Sequence, residues 1–102
     1  MSITSRVSDD NKQVRIIVAH QFDYSLHQGF RDAYRNVKQA GATFTVDLSK
    51  ATYMDSSALG MILLLKEYAD KLGGRVILSK PNASVHKILT IANFDQFVTI
   101  ES

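Results

Sequence analysis

The chain has 102 residues, 45% of them hydrophobic and 22% charged, with a formal net charge of +2 and no cysteine. That length fits one compact unit over residues 1–102. The missing cysteines exclude disulfides, thiol nucleophiles and cysteine-held metals, and the interspersed charges form no basic stripe for nucleic acid.

The N-terminal stretch Met1 to Arg6 lacks the apolar core of a signal peptide. The longest apolar run, Met61 to Leu65, is too short to span a bilayer. The expectation is a cytoplasmic protein without membrane contact. Residues 1–7 read as a strand, and Asp9-Asp10-Asn11 reads as a turn. Val14, Ile16 and Val18 alternate along a second strand, Gln13 to Ala19. Ser25 can cap a helix running to Gln39, with Leu26, Phe30, Ala33, Tyr34 and Val37 inward and Gly41 closing it.

A third strand covers Thr43 to Leu48, and Ser49 to Thr52 reads as a loop. A second helix runs from Ser57 to Leu72 and stops at Gly73-Gly74. Arg75 to Ser79 is a strand, broken by Pro81-Asn82. A short helix, Ala83 to Ala92, turns Val85, Ile88, Leu89 and Ala92 inward. After a turn at Asn93 to Asp95, Phe97 to Ile100 is the last strand. Alternating strands and helices predict an α/β fold with a mixed, largely parallel sheet, its first two strands paired as a hairpin.

The junction Asp55-Ser56-Ser57 lies where the strand pattern gives way to the helix pattern. A helix start carries free N–H groups and partial positive charge, a favourable place for phosphate. A serine there can cap, anchor an anion or accept a phosphoryl group; by spacing alone, plain capping is the default.

On a helical wheel, Lys66, Glu67, Asp70 and Lys71 define one polar arc, and Leu59, Gly60 and Leu63 fall inside it. Either a neighbouring loop covers these residues, or they form an apolar docking patch beside the serines. An interior helical glycine costs about 1 kcal/mol against alanine, a cost tolerated where a partner approaches closely.

Asp55-Ser56-Ser57-Ala58-Leu59-Gly60, between a strand and an apolar helix, resembles the STAS family, and more narrowly the bacterial anti-sigma-factor antagonists. Phe22-Asp23, Val46-Asp47-Leu48, Leu72-Gly73-Gly74 and Val85-His86-Lys87-Ile88-Leu89 followed by Phe94 extend the likeness over nearly the whole chain. The resemblance implies a sheet of four to five strands flanked by helices, and a binding protein rather than an enzyme. It implies that the unphosphorylated protein captures an anti-sigma factor that is also a serine kinase. That kinase would use ATP to phosphorylate Ser56 or Ser57, with Ser56 placed first, and a metal-dependent serine phosphatase would reverse it. The implied partner surface comprises Asp23, Asp55, Ser56, Ser57, Ala58, Leu59, Gly60 and Leu63.

Three departures stand out. Ala58 replaces a usual glycine, and His20-Gln21 replaces a common Gly-Glu. Many relatives add a closing helix after the last strand, whereas this sequence ends at Ser102. A less covered sheet face, which favours self-association, is the expectation, and the expected state is a monomer or weak dimer.

No cofactor or metal is expected, since His20, His27 and His86 are scattered and no phosphate-cradling glycine motif occurs. Ser56 has no identifiable base for a Ser-His-Asp arrangement. Two alternatives remain: a STAS subunit of a stress or lipid-transport assembly, and a small ligand-binding domain or enzyme with Asp23, Asp55 and Ser56 lining a pocket.

Overall fold

The computed structural model covers residues 2–102, so the position of Met1 in the expected first strand lies outside the described residues. Five strands form one sheet: β1 (Ile3–Val7), β2 (Gln13–Phe22), β3 (Thr43–Met54), β4 (Arg75–Ser79) and β5 (Thr99–Glu101). They lie side by side in chain order; β1 and β2 are antiparallel, and the remaining pairs are parallel. The intervening helices are α1 (His27–Asp32), α2 (Ser56–Lys71) and α3 (Ala83–Ile91). Parallel neighbours joined by right-handed crossovers in strand order place all three helices on one face.

Side-chain alternation explains that face. Val14 and Ile16 of β2 align with Phe44 and Val46 of β3, which align with Val76 and Leu78 of β4, and Val18 and Leu48 are buried with them. They share one buried cluster with Phe30, Ile62, Leu65, Val85 and Leu89 from the helices. The residues between them point to the other face, where Arg15 pairs with Asp47 at 3.3 Å across β2 and β3.

Three expectations change. The first helix does not reach Gln39: a 3-10 turn, Tyr24–Leu26, leads into a single short helix. Phe30, Tyr34 and Val37 are buried all the same. The chain continues through turns, and the Tyr68 hydroxyl donates to the carbonyls of Arg35 at 2.9 Å and Val37 at 2.6 Å. Gly41 therefore serves the turn into β3, with a φ of 75°, rather than a helix end. Second, β2 extends to Phe22 and β3 through the expected loop to Met54. Third, the last strand is Thr99–Glu101, because after the 3-10 turn Phe94–Gln96 the N–H groups of Phe97 and Val98 both donate to the Phe94 carbonyl at 3.0 Å.

The end of α2 follows the expected glycine stop. Gly73 takes a φ of 69°, its N–H donates to the Asp70 carbonyl at 3.0 Å, and Gly74 N–H donates to Ala69 at 2.9 Å. That double bond pattern is a Schellman cap. Gly74 has a second reason to be glycine: a Cβ there would sit 1.9 Å from the Ala42 carbonyl oxygen. Gly74→Ala is therefore expected to cost about 3 kcal/mol by overpacking. A urea titration checks this through a lowered midpoint at unchanged slope.

Candidate functional site

The last paired residues of β2 and β3 are Phe22 and Met54, so Asp23 and Asp55 emerge at adjacent strand ends. The Asp55 N–H donates to the Phe22 carbonyl at 3.3 Å, tying the two ends together. Each aspartate starts a helical turn. Asp23 Oδ1 accepts the Ser25 N–H at 3.0 Å and the Ser25 hydroxyl. Asp55 Oδ1 accepts the N–H groups of Ser57 at 3.0 Å and Ala58 at 3.2 Å, together with the Ser57 hydroxyl. Asp55 is thus the cap of α2, and two of the free N–H groups expected at this helix start are already committed to it.

This cap separates the two serines. Ser57 is half-buried, with its hydroxyl held by Asp55. Ser56 is exposed, and among the described residues no hydrogen bond holds its hydroxyl. The Ser57 hydroxyl is the chief cause of a lowered Asp55 pKa; desolvation opposes it, and the N–H groups of Ala58 and Ser57 reinforce it.

The strands reach this point through irregular pairing. Register shifts fall between Ile17 and Ala19 and between His20 and Gln21. His20 adopts a φ of 66°, a left-handed conformation that glycine occupies without strain. His20 therefore holds a strained backbone position within the irregular pairing, and bulges commonly re-aim strands beside functional sites.

The helix face divides differently from the wheel. Ala58 is fully buried and packs in the core, so its replacement of glycine alters packing, not the surface. Leu59 is partly buried against the core. Gly60 is exposed with open space around a would-be Cβ, and Leu63 is 41% exposed. Leu64, at 59%, is more exposed still and was not expected. A signal existed: Leu63-Leu64-Leu65 sweeps about 200° of helix, wider than a core-facing stripe. Tyr24 and Tyr53, both exposed, flank Asp23 and Asp55 in sequence, and Tyr24 stacks on His27 at 4.2 Å.

Asp23, Asp55 and Ser56 line neither the depression of about 440 Å³ between α1 and α2 nor that of about 540 Å³ beside β1. The three histidines do not converge with acidic side chains into a metal-holding group among the described residues. Among those residues, no helix is long and apolar enough to cross a membrane.

The sequence model of the family described as "Mlab, STAS domain" matches residues 5–100. The chain belongs to the STAS family. A STAS-domain containing protein of Pseudomonas aeruginosa (strain UCBPP-PA14) is 43% identical over 100 residues, 98% of this chain and 99% of that protein. The Thermotoga neapolitana homolog of TM1081, named for anti-sigma factor antagonism, is 30% identical over 90 residues, 88% of this chain and 74% of that protein. Among solved structures, unphosphorylated SpoIIAA, an anti-sigma factor antagonist, aligns with a TM-score of 0.79 at 19% identity, covering 98% of this chain and 88% of that one. The Thermotoga maritima protein TM1081 aligns with a TM-score of 0.80 at 21% identity, covering 98% and 86%. These structures share the STAS fold: a five-stranded sheet, one antiparallel pair and the rest parallel, with its helices.

The lowered Asp55 pKa fixes a pH dependence. A depressed carboxyl stabilises the fold fully above its unfolded value of about 3.9, and that contribution is lost as pH falls through the native value. Asp55→Ala should therefore lower the urea midpoint at about pH 7 and lower it less at about pH 3. An equal gap at both would contradict the assignment.

Proposed function

We propose that this chain is a phosphorylation-switched binding protein whose unphosphorylated form holds an anti-sigma factor or comparable regulator. Residues 1–102 would then act as one STAS domain, in the cytoplasm, by binding rather than catalysis. The partner class comes from the anti-sigma factor antagonists among the relatives. A serine kinase and a serine phosphatase would be the agents of the switch.

The observation that carries it is the inequality of the two serines. A kinase needs a hydroxyl it can reach and deprotonate. Ser56 offers one on the surface, whereas Ser57 must first break its bond to Asp55. Ser56 is therefore the acceptor. Gly60 and Leu63 lie one and two turns further along the same helix face, with Leu64 flanking it, within about 12 Å of axial rise. The missing side chain at Gly60 lets a partner backbone approach between them.

A phosphate on Ser56 would bring about −1.5 to −2 charges beside the Asp55 carboxylate. Ser56 is exposed, and two N–H groups of the helix start are already bonded to Asp55, so that charge would lie at the surface. A partner seated on Leu63 and Leu64 would have to bury it without a counter-charge, a penalty of several kcal/mol. A loss of roughly 3 kcal/mol weakens binding about a hundredfold. In pull-downs from native cells, Ser56→Ala should retain the partner and Ser56→Asp should lose it. Equal capture by both variants would remove Ser56 from the switch.

A further inference from the structure

The two edges of the sheet are unlike. β5 closes one edge with three residues, whereas β1 presents five at the other. Short edge strands resist pairing with other chains; longer flat ones invite it. Within β1 the sequence Ile3-Thr4-Ser5-Arg6-Val7 contains no proline and no lysine.

The hydrogen bonds define which backbone groups are free. Ala19 N–H donates to the Ser2 carbonyl at 2.8 Å, and Ser8 N–H donates to Gln13 at 2.9 Å. In an antiparallel ladder such bonded pairs recur every second residue. Ser2, Thr4, Arg6 and Ser8 therefore bond towards β2. The N–H and C=O groups of Ile3, Ser5 and Val7 point out from the edge.

We propose that two copies of this chain pair antiparallel through β1, about a two-fold axis at Ser5. In that register Ser5 faces Ser5 of the second copy, and Ile3 faces its Val7. All three outward residues become bonded pairs, which joins two five-stranded sheets into one. The side chains agree with the register. Ile3, Ser5 and Val7 lie on the helix face, being paired with Val18, Ile16 and Val14. Ile3 of the second copy would cover Val7, which is 44% exposed here, beside the depression of about 540 Å³ that Ser5, Val7, Ala33 and Val37 help to line. On the open face Arg6 meets Thr4 rather than another Arg6, so no like charges oppose. A strand from an unrelated protein would need none of this self-complementarity, which is the mark of a two-fold contact. Five paired residues bury less than the roughly 1,200 Å² of a stable interface, so the dimer is a weak one.

Because the chain has no cysteine, a single engineered thiol reports the contact cleanly. Bonded antiparallel pairs place Cα atoms about 5.5 Å apart, within disulfide reach. Mild oxidation should link Ser5→Cys into covalent dimers and leave the control Ser84→Cys on α3 monomeric. Light scattering of wild type should climb from 11.4 kDa towards twice that mass as the protein approaches about 1 mM. Ser5→Lys sets two ammonium groups face to face, and Ser5→Pro removes only an outward N–H; both should hold the mass at 11.4 kDa with an unchanged circular dichroism spectrum. A monomer at every concentration without the Ser5→Cys disulfide overturns the proposal and leaves this edge to a foreign strand. A dimer that persists in both Ser5 variants overturns it in favour of another surface.

Discussion

One carboxylate oxygen organises the site. Asp55 Oδ1 gathers two N–H groups and a hydroxyl at the start of α2, just where β3 leaves the sheet. The strand pairing that delivers Asp55 also delivers Asp23, since Phe22 and Met54 are register partners and Asp55 bonds back to Phe22. Each aspartate then nucleates a turn by the same device, accepting the N–H and hydroxyl of the serine two residues on. Capping of this kind draws on Ser57 and Ala58 and uses no side-chain atom of Ser56. That independence is what a modification site at Ser56 needs: charge can be added there without undoing the fold.

The surface around Ser56 is suited to a charge-operated contact. Gly60, Leu63 and Leu64 are exposed; under the proposed switch a partner seated there would gain by excluding water, and a dianion on Ser56 would make that exclusion costly. The switch proposed above would draw its energy from desolvation and would need no change of shape. β1 stands apart from this site, separated from β3 by the whole of β2. Pairing at that edge would present two such faces from one assembly.

Most of the fold was legible because one-sided burial writes itself as period-two alternation. Val14, Ile16 and Val18, then Phe44, Val46 and Leu48, marked their strands without ambiguity. Beyond Asp47 that signal fades for a physical reason. β4 ends opposite Asp47, so β2 and β3 continue as a two-stranded ribbon with Ser49, Lys50, Thr52 and Tyr53 exposed, and the sequence reads as a loop. The first helix was overextended because its inward spacing persists through Val37. The carbonyls of Arg35 and Val37 are instead taken by Tyr68, more than thirty positions away, which no local pattern reports. The positive φ of His20 is equally silent in composition. The motif singles out Asp23, Asp55, Ser56 and Ser57, and the strand pairing brings the two aspartates to adjacent strand ends. Ala58 was drawn to the surface by the motif, although its spacing with Ile62, Leu65 and Ala69 already placed it on the buried face.

If the bond from Ser57 to Asp55 governs reactivity, Ser56 is the hydroxyl that is phosphorylated. Fragment-ion mapping of the phosphopeptide from wild-type protein, purified from its own cells, tests it directly, because cleavage between the two serines assigns the phosphate. Phosphate on Ser56 with Ser57 unmodified is the expected result. Phosphate carried by Ser57, with Ser56 bare, would contradict the account.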